Sequence, residues 1–397
     1  MSTRRVLLQA GLGTGLVGLG VAGCAKEADL ARSGTDVPHP TREPSELEGE
    51  SVPTAQQAQS PWLVKAAELS VEERIGQLIM VGTVSTVLSD QVRAALTEHK
   101  VGSLLLLGDS LGGRSDISLL TSELSSLGAA VPIMVAVDQE GGRIQRLSGD
   151  GFSTIPSAVE QAKLPATELQ EKWKQWGGEL ARAGVRFNLA PVADLVPADM
   201  EASNAPVGQL QRQYGRDVAE AAPALLSAIK GMAAAKVATS AKHFPGLGRV
   251  RTNTDFGEAV DEVTTKEDPG IEAFRVAMDA GVSSIMISSA IYRRIDPKNQ
   301  GTFSSTIINE LLRGQLGFHK VVISDDLGAA QSVQHIPAGE RATRFLQAGG
   351  DLVINADPSL TEAMVGAVGK LEKSDPDFAQ QVVRKAARVL ELKASVA

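Results

Sequence analysis

The chain has 397 residues, of which 39 are Lys or Arg and 47 are Asp or Glu, so its formal net charge at pH 7 is −8. No block of basic residues stands out, which argues against nucleic acid as a partner. The hydrophobic content of 43% and the 39 glycines are typical of a globular protein with a large core and many turns between strands and helices. This length accommodates several average domains or one large α/β barrel.

The first 23 residues have the three parts of a secretory signal peptide. Arg4 and Arg5 precede a short apolar stretch at 6–22, which has too many Gly for a good membrane-spanning helix. The sequence V-A-G-C at 21–24 resembles a lipoprotein signal-peptidase site. We therefore expect cleavage before Cys24, lipidation of Cys24 and anchoring on the extracytoplasmic face of the cell membrane, by either the general or the twin-arginine export route.

Cys24 is the single cysteine of the chain, so the exported domain can contain no disulfide and its stability must come from core size. From the lipidated Cys24 to residue 61 the sequence is rich in Pro, Ser, Glu, Thr and Gln and has almost no periodic apolar residues. This composition predicts a disordered tether at 24–61 that connects the lipid to a folded domain at 62–397.

After residue 62, amphipathic stretches such as 166–183, 219–235 and 305–316 alternate with short, mostly apolar runs. This alternation is typical of repeated βα units on a parallel sheet covered on both faces. A doubly wound sheet would show it too. Eight runs, with polar residues ending at least five of them, favour a single (β/α)8 barrel of the α/β class. The predicted strands are 77–82, 102–107, 133–137, 185–191, 237–241, 283–288, 320–324 and 352–355.

Three of these runs end in unusual polar segments. They are D-Q-E-G-G-R-I-Q-R at 138–146, K-H-F-P-G-L-G at 242–248 and S-D-D-L at 324–327. Side chains at the carboxyl ends of barrel strands meet at the mouth of the barrel, and the glycines allow the loops to approach a ligand closely. Each segment alone could be an ordinary strand-to-helix turn, but together they indicate a binding or catalytic site.

The three segments, in this order, resemble glycoside hydrolase family 3, and in particular its single-domain bacterial β-N-acetylglucosaminidases. The resemblance extends from about residue 69 to the C-terminus. It implies a retaining exo-hydrolase that removes terminal β-linked GlcNAc from peptidoglycan-derived fragments or related glycans through a covalent glycosyl-enzyme, without a metal or other cofactor. A β-glucosidase, a glycoside phosphorylase and a lipid-anchored protein that binds glycans without cleaving them are the alternatives. The oligomeric state is left open.

The resemblance assigns the nucleophile to Asp325, the first Asp of S-D-D-L. In an extended strand Asp325 shares its side-chain direction with Ile323, whereas Asp326 points the other way. The simpler interpretation is that both residues cap the following helix. For substrate binding, the resemblance implies that five polar side chains contact the sugar hydroxyls: Asp138, Arg146, Arg212, Lys242 and His243. Arg212 is matched across a loop that has two extra residues. Asp194 is expected to have a supporting role.

The acid/base is where the sequence departs from its relatives. The single-domain enzymes usually read K-H-F-P-G-H-G-D-T-x-x-D-S-H, in which an Asp-His dyad transfers the proton. Here Asn253 and Asp255 occupy the dyad positions, and Leu247 and Arg249 replace an earlier His and Asp. Either Asp255 is itself the acid/base, with a pKa raised by desolvation when substrate binds, or the site binds sugar without cleaving it. We favour the first. A carboxylate would also repel an incoming phosphate, which favours hydrolysis over phosphorolysis.

Overall fold

The computed structural model describes residues 60–397, apart from residue 85 and residues 109–112. The predicted signal peptide, Cys24 and nearly all of the predicted tether therefore lie outside the described residues. In the part of the chain that is described, no helix combines the length and the apolar character that a bilayer crossing would require.

Eight parallel strands close into a barrel in which every strand pairs with the strands before and after it in the chain. The last strand returns to the first, with Val353 opposite Ile79. The predicted (β/α)8 barrel is confirmed. Its strands are β1 Ile79–Thr83, β2 Ser103–Leu106, β3 Met134–Val137, β4 Phe187–Asn188, β5 Ala238–Phe244, β6 Ser284–Ile287, β7 Val321–Asp326 and β8 Leu352–Asn355.

Helices alternate with the barrel strands, as the sequence predicts. Two of them precede β1, and the C-terminal helix follows β8. The α-helices are Pro61–Glu68, Val71–Gln77, Asp90–Thr97, Gly113–Ser126, Ala158–Gln161, Ala166–Arg182, Val218–Ala234, Glu272–Asp279, Ala338–Gln347, Thr361–Ser374 and Pro376–Ser395, and Thr306–Gln315 is a π-helix.

Short strands outside the barrel build the loops at its carboxyl end. Gln139–Gly141 and Ile144–Gln145 form an antiparallel hairpin directly after β3. A separate three-stranded sheet joins the loops after β5 and β6, with the strands Val260–Asp261, Ile291–Tyr292 and Asp296–Gln300. These additions place ordered backbone around the barrel mouth, where the polar segments of the sequence lie.

The barrel interior is a packed core, not a pore. Inward-facing apolar side chains from all eight strands or their ends form one buried cluster, which includes Met80, Phe187 and Ile323. Val389 and Leu392 of the C-terminal helix belong to the same cluster. On that helix, the ammonium of Lys393 donates hydrogen bonds to the carbonyls of Gly102 and Pro132. The C-terminal helix thus closes the amino end of the barrel, and the opposite end is open to a ligand.

The strand boundaries differ from prediction where the site begins. The predicted strand 237–241 continues to Phe244, whose carbonyl accepts a 2.9 Å hydrogen bond from the Ser288 N–H. Lys242 and His243 therefore lie within the last residues of β5, whereas the predicted strand ended just before them. The predicted strand 185–191 is regular only at Phe187–Asn188. Pro191 has no N–H to donate, so the ladder becomes irregular before it.

Candidate active site

A cavity of about 280 Å³ lies at the carboxyl end of the barrel. Its floor is formed by apolar side chains of the barrel interior, such as Leu105, Leu189 and Met286. Its walls contain all of the residues that the sequence assigned to catalysis or substrate binding: Asp138, Arg146, Arg212, Lys242, His243, Asp255 and Asp325. Residues from distant parts of the chain are thus brought together as predicted, while their individual roles stay predictions.

Lys242 is the centre of a buried network of charges. Its side chain is 2% exposed, and its ammonium lies 2.5 Å from a carboxylate oxygen of Asp138 and 2.6 Å from one of Glu140. Burial alone would lower the pKa of Lys242, but Asp138 and Glu140 outweigh this effect and raise it. Lys242 is consequently a fixed cation at neutral pH, suited to donating hydrogen bonds to a sugar hydroxyl and not to acting as a base.

Glu140 is a site residue that the sequence analysis did not single out. Its carboxylate accepts two hydrogen bonds from the Arg212 guanidinium, at 2.9 and 2.8 Å, in addition to its contact with Lys242. Although burial opposes ionisation, Arg212 and Lys242 hold the pKa of Glu140 well below its usual range. One buried anion therefore positions two cations, Lys242 on β5 and Arg212 in the loop after β4. The position of Glu140 within the polar segment at 138–146 could have identified it as a site residue.

Arg212 lies in the pocket in spite of the two extra residues in its loop. Its guanidinium also donates a 2.7 Å hydrogen bond to the Pro206 carbonyl. The loop itself is fixed by Asn204, whose side-chain amide donates to the carbonyls of Leu247 and Val250 at 2.7 and 2.8 Å. Because three of the guanidinium N–H groups bind protein atoms, only the others are available to a substrate.

His243 is oriented by a buried aspartate, Asp194. The Nδ1 atom of His243 lies 2.7 Å from Asp194 Oδ2, and Asp194 Oδ1 accepts hydrogen bonds from the backbone N–H groups of His243 and Leu247. Asp194 is 1% exposed and does not line the cavity. This arrangement leaves Nε2 as the ring atom that can face a ligand, and it fits the supporting role expected for Asp194.

The two aspartates of S-D-D-L have different surroundings. Asp325 continues the inward-facing side of β7 beyond Ile323. Its carboxylate accepts a 2.9 Å hydrogen bond from the Asp326 N–H and lies 3.4 Å from the Thr254 hydroxyl. Asp326 instead accepts hydrogen bonds from the four backbone N–H groups of Gly328, Ala329, Ala330 and Ala356. Both side chains line the cavity, and no helix begins at residues 328–330, so the capping interpretation is wrong for both aspartates. Asp326 fixes the backbone of the loop after β7, and Asp325 is the carboxylate that has fewer backbone partners and is more available to a ligand.

The environment of Asp325 suits a nucleophile. Burial raises its pKa from the ordinary 3.8 to about 6; the nearby His243 opposes this shift and the Asp255 carboxylate adds to it. Asp325 remains ionised at neutral pH, yet it is more basic than an exposed aspartate. A buried, basic carboxylate attacks an electrophilic carbon more readily than a fully hydrated one.

Asp255 stands at the rim of the cavity on a well-ordered turn. Its own backbone N–H donates to the Asn253 side-chain oxygen at 3.0 Å, and its carbonyl accepts from the Gln331 N–H at 3.1 Å. The carboxylate is exposed before a ligand binds. Asn253 thus uses its side chain to shape the turn, whereas Asp255 is the ionisable group that faces the opening.

The two other departures from the family pattern have structural partners. Leu247 is buried and forms part of the cavity wall. Arg249 turns away from the cavity and pairs with Asp268 at 2.5 Å and with the Thr264 hydroxyl at 3.1 Å. Leu247 and Arg249 thus each have a defined position in the loop. Among the described residues, no group of His, Cys, Asp and Glu side chains is arranged to hold a metal ion.

Comparison with known proteins identifies the family. Residues 70–392 match the glycosyl hydrolase family 3 N terminal domain. The chain belongs to glycosyl hydrolase family 3. Among curated relatives, a β-hexosaminidase of Stenotrophomonas maltophilia is 30% identical over 302 residues, which are 73% of this chain and 87% of the relative. A β-hexosaminidase of Nitrosomonas eutropha is 33% identical over 286 residues, or 70% of this chain and 79% of the relative.

Two solved structures are similar to this chain in fold. The crystal structure of a β-N-acetylhexosaminidase from Beutenbergia cavernae is 43% identical, with a TM-score of 0.80, and the match covers 83% of this chain and 99% of that one. A β-N-acetylglucosaminidase of family 3 from a Paenibacillus strain is 27% identical, with a TM-score of 0.73, over 83% of this chain and 64% of that one. The family 3 resemblance of the three polar segments is confirmed.

Proposed function

We propose that this family 3 protein is a retaining exo-β-N-acetylglucosaminidase that hydrolyses terminal β-linked GlcNAc from peptidoglycan-derived fragments or related glycans. The observation that carries the proposal is one cavity in which a basic carboxylate, Asp325, faces an exposed carboxylate, Asp255, among fixed hydrogen-bonding groups. The names of the relatives at 30–43% identity support the same activity. The closed apolar floor of the cavity suits the end of a glycan and not its middle.

In the first step, Asp325 attacks the anomeric carbon while the protonated Asp255 donates its proton to the glycosidic oxygen. The bond to the leaving group breaks, the aglycone departs as an alcohol, and the sugar is held as an ester of Asp325. In the second step the Asp255 carboxylate removes a proton from water, whose oxygen attacks the anomeric carbon and displaces Asp325. Two inversions at one carbon retain the β configuration, and each carboxyl returns to its starting state.

Substrate binding is assigned to the hydrogen-bonding groups around Asp325. Lys242 and Arg146 donate to sugar hydroxyls, whereas Asp138 accepts from them. Because Nδ1 of His243 donates to Asp194, Nε2 of the neutral ring accepts a hydrogen bond from a sugar hydroxyl. Because the Lys242–Asp138–Glu140 contacts exist before substrate binds, these groups need little rearrangement to hold the sugar against the nucleophile.

A lipid anchor at Cys24 is a separate part of the proposal. The charged, apolar and small-residue segments before V-A-G-C support cleavage before Cys24 and lipidation there. The polar composition of 25–61 supports a tether between the lipid and the barrel. We therefore place the enzyme on the extracytoplasmic face of the cell membrane, where peptidoglycan fragments are accessible.

The proposed activity is tested with nitrophenyl β-GlcNAc and nitrophenyl β-glucoside, using Asp325→Ala as the inactive control. The proposal predicts a clear preference for β-GlcNAc, no requirement for phosphate and β-GlcNAc as the first product by proton NMR. Preference for the glucoside would identify a β-glucosidase, and a sugar phosphate as product would identify a phosphorylase. Sugar binding by calorimetry without cleavage of either compound would identify a non-catalytic glycan-binding protein.

A further inference from the structure

One phenylalanine of the chain is treated differently from all the others. Phe256 is 81% exposed, whereas the other eight phenylalanines are at most 8% exposed: Phe152, Phe187, Phe244, Phe274, Phe303, Phe318, Phe345 and Phe378. Exposing a large apolar ring to water is unfavourable, and a large exposed aromatic beside a cavity commonly contacts a ligand. Phe256 directly follows Asp255, so its position has to be considered together with that carboxylate.

The backbone that carries Phe256 is held in place. The N–H groups of Phe256 and Gly257 both donate to the Asn253 carbonyl, at 3.0 and 3.2 Å. The preceding residues are tied to the loop after β7, where the Ser332 N–H donates to the Thr254 carbonyl at 3.2 Å. The ring is therefore presented from an ordered turn, which lowers the entropy that contact with a ligand would cost.

The place of Phe256 relative to the cavity follows from its neighbour. Asp255 lines the cavity rim, and as acid/base it has to reach the glycosidic oxygen, which joins the buried sugar to the leaving group. Phe256 is not part of the cavity wall and faces solvent. The ring thus projects into solvent directly after the rim carboxylate and outside the cavity that would hold the terminal sugar.

We propose that Phe256 is the binding platform for the aglycone, the sugar attached through the glycosidic oxygen. This inference rests on the proposed function. The C–H groups on one face of a pyranose ring are apolar, and an aromatic face both shields them from water and attracts their partial positive charge. Phe256 would thus favour glycan substrates over compounds whose leaving group is too small to cover the ring.

The two-step reaction gives this contact a distinct kinetic signature. The aglycone departs in the first step, so Phe256 can influence formation of the glycosyl-enzyme but not its hydrolysis. Loss of the ring should therefore reduce kcat/KM for substrates with a sugar aglycone. The same loss should leave kcat unchanged for substrates whose slow step is hydrolysis of the glycosyl-enzyme.

The test compares chitobiose with N-acetyl-β-glucosaminyl fluoride in the wild type, Phe256→Ala and Phe256→Tyr. For Phe256→Ala we expect kcat/KM on chitobiose to fall about tenfold, as for loss of about half the contact of a buried Phe, while the value on the fluoride changes less than about twofold. Phe256→Tyr, which keeps the ring, should restore most of the chitobiose activity.

Three results would overturn the proposal. An equal loss on both substrates in Phe256→Ala would show that the ring only shapes the turn that carries Asp255. Unchanged activity on both would show that the ring contacts no aglycone. If the wild type cleaves neither substrate, the proposed function itself fails, and this inference fails with it.

Discussion

Replacing Asp325 by Asn should abolish catalysis and at the same time stabilise the folded protein at neutral pH. Asn keeps the size of the side chain, and its carbonyl oxygen can still accept the hydrogen bond from the Asp326 N–H. What it removes is a negative charge that burial makes unfavourable. A buried carboxylate with a raised pKa lowers the stability of the folded protein at neutral pH, and the variant should show by how much.

The magnitude follows from the raised pKa. A carboxyl whose pKa is 3.8 when unfolded and about 6 when folded destabilises the folded state above pH 6, where it is ionised in both states. The full shift corresponds to about 3 kcal/mol, and partial contact of Asp325 with water reduces this to about 1–3 kcal/mol. As the pH falls below 6, the folded carboxyl takes up a proton and the destabilisation decreases; little of it is left near pH 4, close to the unfolded pKa of 3.8.

Urea denaturation at pH 7 and at pH 4 measures this difference. Asp325→Asn should raise the free energy of unfolding at pH 7 and have little effect at pH 4. Asp138→Asn is the matched control, because the same chemical change removes an ion-pair partner of Lys242 and should be destabilising at pH 7. A loss of stability in Asp325→Asn at pH 7, or an equal gain at both pH values, would refute the reasoning.

Three further predictions concern pH, the charge network and the anchor. Dinitrophenyl β-GlcNAc needs no acid assistance, so its kcat/KM should follow the ionisation of Asp325. The value should rise by about tenfold per pH unit up to about pH 6 and then level off. A pH profile without this rise would exclude Asp325 as the ionisable nucleophile. Glu140→Gln should lower kcat/KM by about 100-fold and should also lower the urea midpoint. The reason is that Lys242 and Arg212 lose their shared anion, which costs about 3 kcal/mol. Wild-type kinetics in this variant would show that the network does not position the sugar. Cys24→Ala should release active enzyme from the membrane fraction, and its retention there would contradict the lipid anchor.

The barrel and the residues around its cavity were predictable because their signals are local. Apolar runs separated by helical segments define the strands, and the polar residues that end them converge because parallel strands end at the same edge of the barrel. The direction of Asp325 followed from strand alternation alone. Even Arg212 could be identified in a loop of altered length, because the residues on both sides of it still match the family pattern.

Other features depend on contacts between distant residues and were not predictable. The role of Glu140 requires Arg212, which is 72 positions away in the sequence, and Lys242 from a third segment. The different surroundings of Asp325 and Asp326 depend on the path of the loop at 327–330 and on the Ala356 N–H. The exposure of Phe256 depends on the turn built by Asn253, which an isolated sequence does not reveal.

In the proposed mechanism, Asp255 alone transfers the proton, whereas the pattern of the single-domain family enzymes has an Asp-His dyad for this step. The most direct measurement is the rate of Asp255→Ala on dinitrophenyl β-GlcNAc and on chitobiose, with and without azide. The dinitrophenyl group leaves without protonation, so the glycosyl-enzyme should form and accumulate, and azide, which needs no base, should restore turnover and yield the β-glycosyl azide. Chitobiose should be cleaved hardly at all, and Asn253→Ala should show no azide effect. Full activity of Asp255→Ala on chitobiose would contradict the account, because the proton would then come from another residue.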